Sequence, residues 1–178
     1  KMQINPVAYV HFQGNNTFSL SPGNSYNLGN KQRVYFKTGQ SPLGDTWGLE
    51  MTARQLGPNH PQGFGPKGQR NLMRVLPTMR KLFPGSENHY IRGHLLNDNL
   101  GGPGLPENMF PITEQANHEH EQYVESFVKD WVNIKGYFVY YHVKVNITDN
   151  HIVNKKGLND PNNYINANFV CEAYPIDA

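Results

Sequence analysis

One cysteine, Cys171, is all the thiol this chain has. That excludes a disulfide framework and any cysteine-based zinc cluster. Charge is scarce too: 17% of residues are Asp, Glu, Lys or Arg, against about 25% in ordinary domains. The hydrophobic share, 37%, is also low. No run of about 18 apolar residues occurs, so no transmembrane segment is expected. The opening stretch KMQINPVAYVHF has no apolar signal-peptide core, and Lys1 ahead of Met2 suggests a piece of a longer chain. Asn, Gly and Pro take the place of the missing charge. Aromatic residues, at 12%, supply enough large apolar surface to offset the entropy of ordering, so the chain is not disordered. At 178 residues a single domain, 1–178, is expected. A net charge of +2 and a pI near 8.6 permit a nucleic-acid partner without demanding one.

The first part, 1–84, reads as strand and loop. VAYVHF (7–12) and RVYFK (33–37) are short β-branched and aromatic runs separated by Asn/Gly/Pro turn clusters. WGLEMTARQL (47–56) looks ordered, whereas the Gly and Pro of 57–68 leave no room for a helix. In 71–83, apolar residues recur at helical spacing around Pro77, and the state of that segment stays open. HYIRGHLL (89–96) reads as a strand ending at Gly93 or His94, and 97–111 as a loop. The clearest helix spans about 113–135. Thr113 is its N-cap, Gly136 its stop, and Val124, Phe127, Val128, Trp131 and Val132 form its apolar stripe. YFVYYHVKVNI (137–147) alternates with period two, and a loop (148–163) leads to a last alternating strand at 164–174. Cys171 lies on the apolar face of that strand, as a small core residue rather than a nucleophile. The fold class expected is α+β.

Chemistry gathers in 90–125. His94 closes a strand; Gly93 allows close backbone approach, and Arg92 offers a guanidinium fork suited to phosphate. With Val124 at zero on the helical wheel, Asn117 falls at about 20°, Glu121 at about 60° and Glu125 at about 100°. Asn117 therefore points inward, either as a tethering amide or as an oxygen donor for a hard cation such as Mg²⁺. His118 and His120 are about 200° apart, so a shared zinc ion is disfavoured, and they are expected to be solvated or at substrate.

Arg92-Gly93-His94, Asn108-Met109-Phe110-Pro111, Asn117 and Glu125, in that order and spacing, resemble the signature of the DNA/RNA non-specific endonucleases. These are His-Me finger, or ββα-metal, nucleases. The resemblance covers 90–125 and implies a ββα-metal core over about 85–147 with an antiparallel sheet. It implies His94 as general base, Arg92 at the phosphate, Asn117 as the direct ligand of one Mg²⁺ (Mn²⁺ substituting), and Glu125 orienting the metal's waters. Asn108 would be structural. Such enzymes hydrolyse phosphodiester bonds, usually leaving a 5′-phosphate. One position departs from the pattern: Ile91 stands where the family has Asp, and Asn97 and Asp98 are the nearby residues able to take its place.

HLLNDNLGGPG also resembles nuclease domains of bacterial polymorphic toxins and contractile-injection effectors. That implies a secreted, delivered effector acting in the target cell's cytoplasm, with a cognate immunity protein as a further partner. Weak sequence preference follows from phosphate contacts, and Arg70, Arg74, Arg80 and Lys81 are the candidate basic contacts to DNA or RNA. Two other readings stay open: a non-catalytic nucleic-acid, glycan or protein-binding module with a decayed site, and a zinc hydrolase using His118 and His120.

Overall fold

The computed structural model describes residues 2–4, 19–20, 24–27, 32–40, 46–66, 90–151 and 164–176. The expected strand at 7–12, the open segment 71–83, and Arg70, Arg74, Arg80 and Lys81 lie outside these residues. So does most of the expected loop 148–163.

The strands are β1 (Met2–Ile4), β2 (Ser19–Leu20), β3 (Asn24–Asn27), β4 (Arg33–Gln40), β5 (Thr46–Leu56), β6 (Tyr90–His94), β7 (Met109–Thr113), β8 (Phe138–His151) and β9 (Tyr164–Ile176). Seven of them form one antiparallel sheet in the order β1-β9-β8-β5-β4-β2, with β3 also paired to β4. β6 and β7 make a separate antiparallel pair. One helix, α1, connects β7 to β8. It runs as α-helix over Glu114–His120, a π turn over Glu121–Glu125, α-helix over Ser126–Lys129 and a second π turn over Asp130–Ile134. The protein is thus α+β, with antiparallel sheets and one main helix. Among the described residues no helix is long and apolar enough to cross a membrane.

Alternation decides which face of the large sheet is covered. Val139, Tyr141, Val143 and Val145 on β8 are buried together with Ala167, Phe169, Cys171 and Ala173 on β9. Val34 and Phe36, with Trp47, Leu49 and Met51, continue that face. The opposite face is polar, as shown by the 2.7 Å contact between His142 Nε2 and Glu50 Oε2. The β6–β7 pair, the turns after it and α1 lie over the apolar face. Phe110 joins the layers edge-on, with ring centroids 5.6 Å from Trp47 and 6.2 Å from Phe169. The 3₁₀ turn Pro106–Asn108 sits so close to β5 that a Cβ at Gly48 would strike the Glu107 carbonyl.

Two expectations need correction here. Met109–Pro111 is strand, not loop, because its residues pair in register with β6 (Arg92 opposite Pro111) and all of β7 is buried. Pro111 is tolerated because each member of a two-stranded pair has a free edge. Thr148–His151 also extends β8 beyond the expected end, past an irregularity between Ile147 and Asp149.

The helix limits match the sequence. The Thr113 hydroxyl accepts from the Ala116 N–H at 3.1 Å, and Gly136 takes φ 71° beyond the end. Its buried face differs from the expected stripe. Ala116, His120, Val124, Val128 and Val132 are buried, at strict four-residue spacing, whereas Phe127 is 47% exposed. In a straight α-helix that spacing drifts by about 40° per step. The π turns take part of the drift back: the Ser126 N–H reaches Glu121 O, and the Lys135 N–H reaches Asp130 O at 2.9 Å, each five residues back.

Candidate active site at the ββα unit

His94 is the last residue of β6. Gly93 before it permits the tight pairing with β7, since a Cβ there would run into the Ile112 side chain. Ile91 lies opposite Ile112 and packs against the core, so this position serves packing in this chain. Arg92 is half-buried and shares His94's side of the strand.

The chain leaving His94 is held by one amide. The Leu96 N–H donates to Asn108 Oδ1 at 2.8 Å. Asn108 Nδ2 donates to Leu96 O at 2.9 Å and to Pro103 O at 3.0 Å. The Leu95 N–H reaches the Asn108 carbonyl at 2.9 Å. Asn108 is fully buried, so its expected structural role is what the structure shows. Next, Asn97 caps the turn Asp98–Leu100, its Oδ1 accepting from the Asn99 N–H at 2.8 Å.

A second loop, 57–66, is tied to this one. The Gly63 N–H donates to Asp98 O at 2.8 Å and the Phe64 N–H to Gly102 O at 3.2 Å. This delivers the Phe64 carbonyl to His94 Nε2 at 3.1 Å. A carbonyl only accepts, so Nε2 carries the hydrogen and Nδ1 keeps its lone pair. Burial holds the His94 pKa below its usual value, with the Phe64 bond and the Asp98 charge acting the other way. The ring is therefore a neutral base at neutral pH.

On α1 a polar row repeats every four residues: Asn117, Glu121, Glu125, Lys129 and Asn133. Asn117 is half-buried, and its side chain has no hydrogen-bond partner among the described residues. Lys129 Nζ reaches back to Glu121 Oε2 at 2.9 Å. Asn133 accepts from or donates to His60 Nε2 at 2.8 Å, according to the tautomer of that ring, and donates to Asn99 O at 2.9 Å. Beside the row lies a cleft of about 530 Å³, lined by Gln62, Asn99, Glu121, Lys129, Asp130 and Asn133 among others.

Glu125 is buried, not on a flank as the wheel suggested, because the π turn at Glu121–Glu125 rotates it inward. Burial pushes its carboxyl up to about 8; a hydrogen bond from Asn97 opposes this, and the Glu121 charge adds to it. Asn97 Oδ1 is already engaged, so its Nδ2 is the donor to Glu125.

The fold thus converges on the loop 95–100. Asp98 acts on His94, and Asn97 bonds Glu125. Asn117 lies on the same helix row as Glu125, two four-residue steps earlier. The two helix histidines separate, as the wheel required, but not into solvent. His118 is exposed, whereas His120 is fully buried, with Nε2 3.2 Å from the Tyr141 hydroxyl. Among the described residues no three His, Cys, Asp or Glu side chains form a group able to hold a metal. Cys171 is buried in the core, its thiol pushed up by desolvation.

Sequence reasoning missed the Phe64 carbonyl, the Asn97–Glu125 bond and the placement of His120. The four-residue recurrence Ala116, His120, Val124, Val128, Val132 was the available signal for the last. No protein-family model matches the chain, and neither a curated protein nor a solved structure matches it.

Proposed function

We propose that this chain is a metal-dependent, non-specific endonuclease that hydrolyses phosphodiester bonds of DNA or RNA. The observation that carries the reading is the His94 ring. Its Nε2–H is fixed on the Phe64 carbonyl, which leaves Nδ1 as a neutral base where β6 ends. A strand pair followed by a helix supports the ββα-metal core that the motif order suggests.

His94 Nδ1 takes the proton of the attacking water, and Arg92, on the same side of β6, binds the phosphate. Asn117 offers an amide oxygen, and Glu121 and Glu125 offer carboxylates from the same row. Hard oxygen donors in small number fit a cation that keeps most of its waters, such as Mg²⁺ or Mn²⁺. When bound, that cation supplies charge stabilisation at the leaving oxygen. Glu125 is mostly protonated at neutral pH without it, and a nearby cation favours its ionised form. Arg70, Arg74, Arg80 and Lys81 are proposed as backbone contacts from the sequence alone. The wording HLLNDNLGGPG supports placement as the toxic domain of a bacterial effector, neutralised by an immunity protein.

The test is supercoiled plasmid, and then RNA, incubated with wild type and His94→Ala, each with Mg²⁺ and with EDTA. Degradation by wild type with Mg²⁺ alone is expected. Intact nucleic acid with folded wild type, in Mg²⁺ and in Mn²⁺, refutes the reading.

A further inference from the structure

The core contains a polar chain that the proposed chemistry does not use. His120 stands in the middle of the apolar row of α1, fully buried, its ring edge-on to Phe169 at 5.2 Å. An aliphatic residue would fill that position without desolvating two nitrogens. Nε2 lies 3.2 Å from the hydroxyl of Tyr141, itself fully buried on β8. Nδ1 lies 3.7 Å from Glu125 Oε1 and has no hydrogen-bond partner. An orphaned buried nitrogen costs about 1–3 kcal/mol.

The donors and acceptors fit in one order only, once Glu125 is a carboxylate. A carboxylate accepts, so His120 Nδ1 carries the ring hydrogen; Nε2 then accepts from the Tyr141 O–H. On its other side Glu125 takes the Asn97 amide hydrogen. We infer that His120 is a positioning residue: backed by Tyr141, its Nδ1–H holds the Glu125 carboxylate in the orientation in which it serves a divalent cation at Asn117. The inference rests on the nuclease reading for the cation and on the core geometry for the residue. Metal-bound sites depend on such supporting donors, whose loss typically costs about 10–100-fold in affinity.

The test is Mn²⁺ binding by the full chain, followed by calorimetry without nucleic acid, alongside thermal unfolding in metal-free buffer. Four variants are compared: His120→Leu, His120→Asn, Tyr141→Phe and Glu125→Gln. His120→Leu is expected to bind Mn²⁺ about 10-fold or more weakly while unfolding near the wild-type temperature. His120→Asn, whose amide N–H stands near the place of Nδ1–H, is expected to restore most of that affinity; a purely structural histidine would not show this split. The inference is overturned if His120→Leu binds within about twofold of wild type while Glu125→Gln has lost affinity. If His120→Leu does not fold, Tyr141→Phe decides: several-fold weaker binding supports the inference, and unchanged binding overturns it. If Glu125→Gln itself binds like wild type, the placement of the cation fails and the inference with it.

Discussion

Replacing Asn108 by alanine removes three hydrogen bonds from the segment that follows His94. The partners left behind are the Leu96 N–H, the Leu96 carbonyl and the Pro103 carbonyl, now at 2.8, 2.9 and 3.0 Å from the amide. Asn108 is fully buried, so water does not replace it without reorganisation. Each orphaned group costs about 1–3 kcal/mol; with the lower end for carbonyls, the loss is about 3–5 kcal/mol. For a domain of this size that lowers the midpoint of thermal unfolding by about 6–20 °C. Asn108→Asp sharpens the test. It keeps the acceptor for Leu96 N–H but points a carboxylate at two carbonyls that need donors. Its pKa in the folded state is therefore raised above the unfolded value. Stability is fully present below the unfolded carboxylate value and lost as pH rises through the folded one, so the Asp variant recovers in acid relative to the Ala variant. Urea unfolding of wild type, Asn108→Ala and Asn108→Asp between pH 4 and 8 measures both effects. A loss below about 1 kcal/mol in Asn108→Ala, or no pH dependence in the difference between the variants, refutes the reasoning.

Cleavage should lose its activity in acid only below the usual histidine range of about 6.5. Burial disfavours the charged ring of His94, so the base stays neutral to lower pH; a half-maximal kcat/KM above 6.5 contradicts this. His120, held down to about 3, resists protonation in the folded state and accepts it when unfolded. Its contribution to stability is full above about 6.5 and falls by about 1.4 kcal/mol per pH unit towards the folded value. The unfolding free energy of wild type relative to His120→Leu should decline at that rate over this window, and a constant difference argues against a buried neutral ring. Gly93→Ala should cost about 1–3 kcal/mol by overpacking against Ile112, with partial recovery in the double variant Gly93→Ala/Ile112→Val; additive losses in denaturation would rule the collision out.

Much of the secondary structure was legible because it is local. The period-two pattern of β8 and β9 reports a strand with one buried face, and the buried Val139, Tyr141, Val143 and Val145 follow it. Thr113 and Gly136 marked the ends of α1 through capping chemistry that depends only on neighbouring residues. β7 was hidden because Pro and Gly dominate the wording around it. Its strand character comes from pairing with β6, an interaction no single segment displays. Phe127 was misplaced because a wheel drawn at 100° per residue does not contain π turns. The same two turns carry Glu125 inward and leave Phe127 outside.

The candidate site divides in the same way. The order Arg92-Gly93-His94, Asn108, Asn117 and Glu125 determined which residues to consider and the chemistry their side chains offer. The sequence alone also determined the helix limits and the paired faces of the last two strands. Only the tertiary structure decided that Phe64, thirty residues before His94, supplies the carbonyl that selects its tautomer. It alone decided that Asn97 meets Glu125 and that Tyr141 backs His120. Side-chain chemistry and short-range periodicity belong to a segment wherever it sits. Tautomers, orphaned donors and shifted carboxyls are properties of what the segment is packed against.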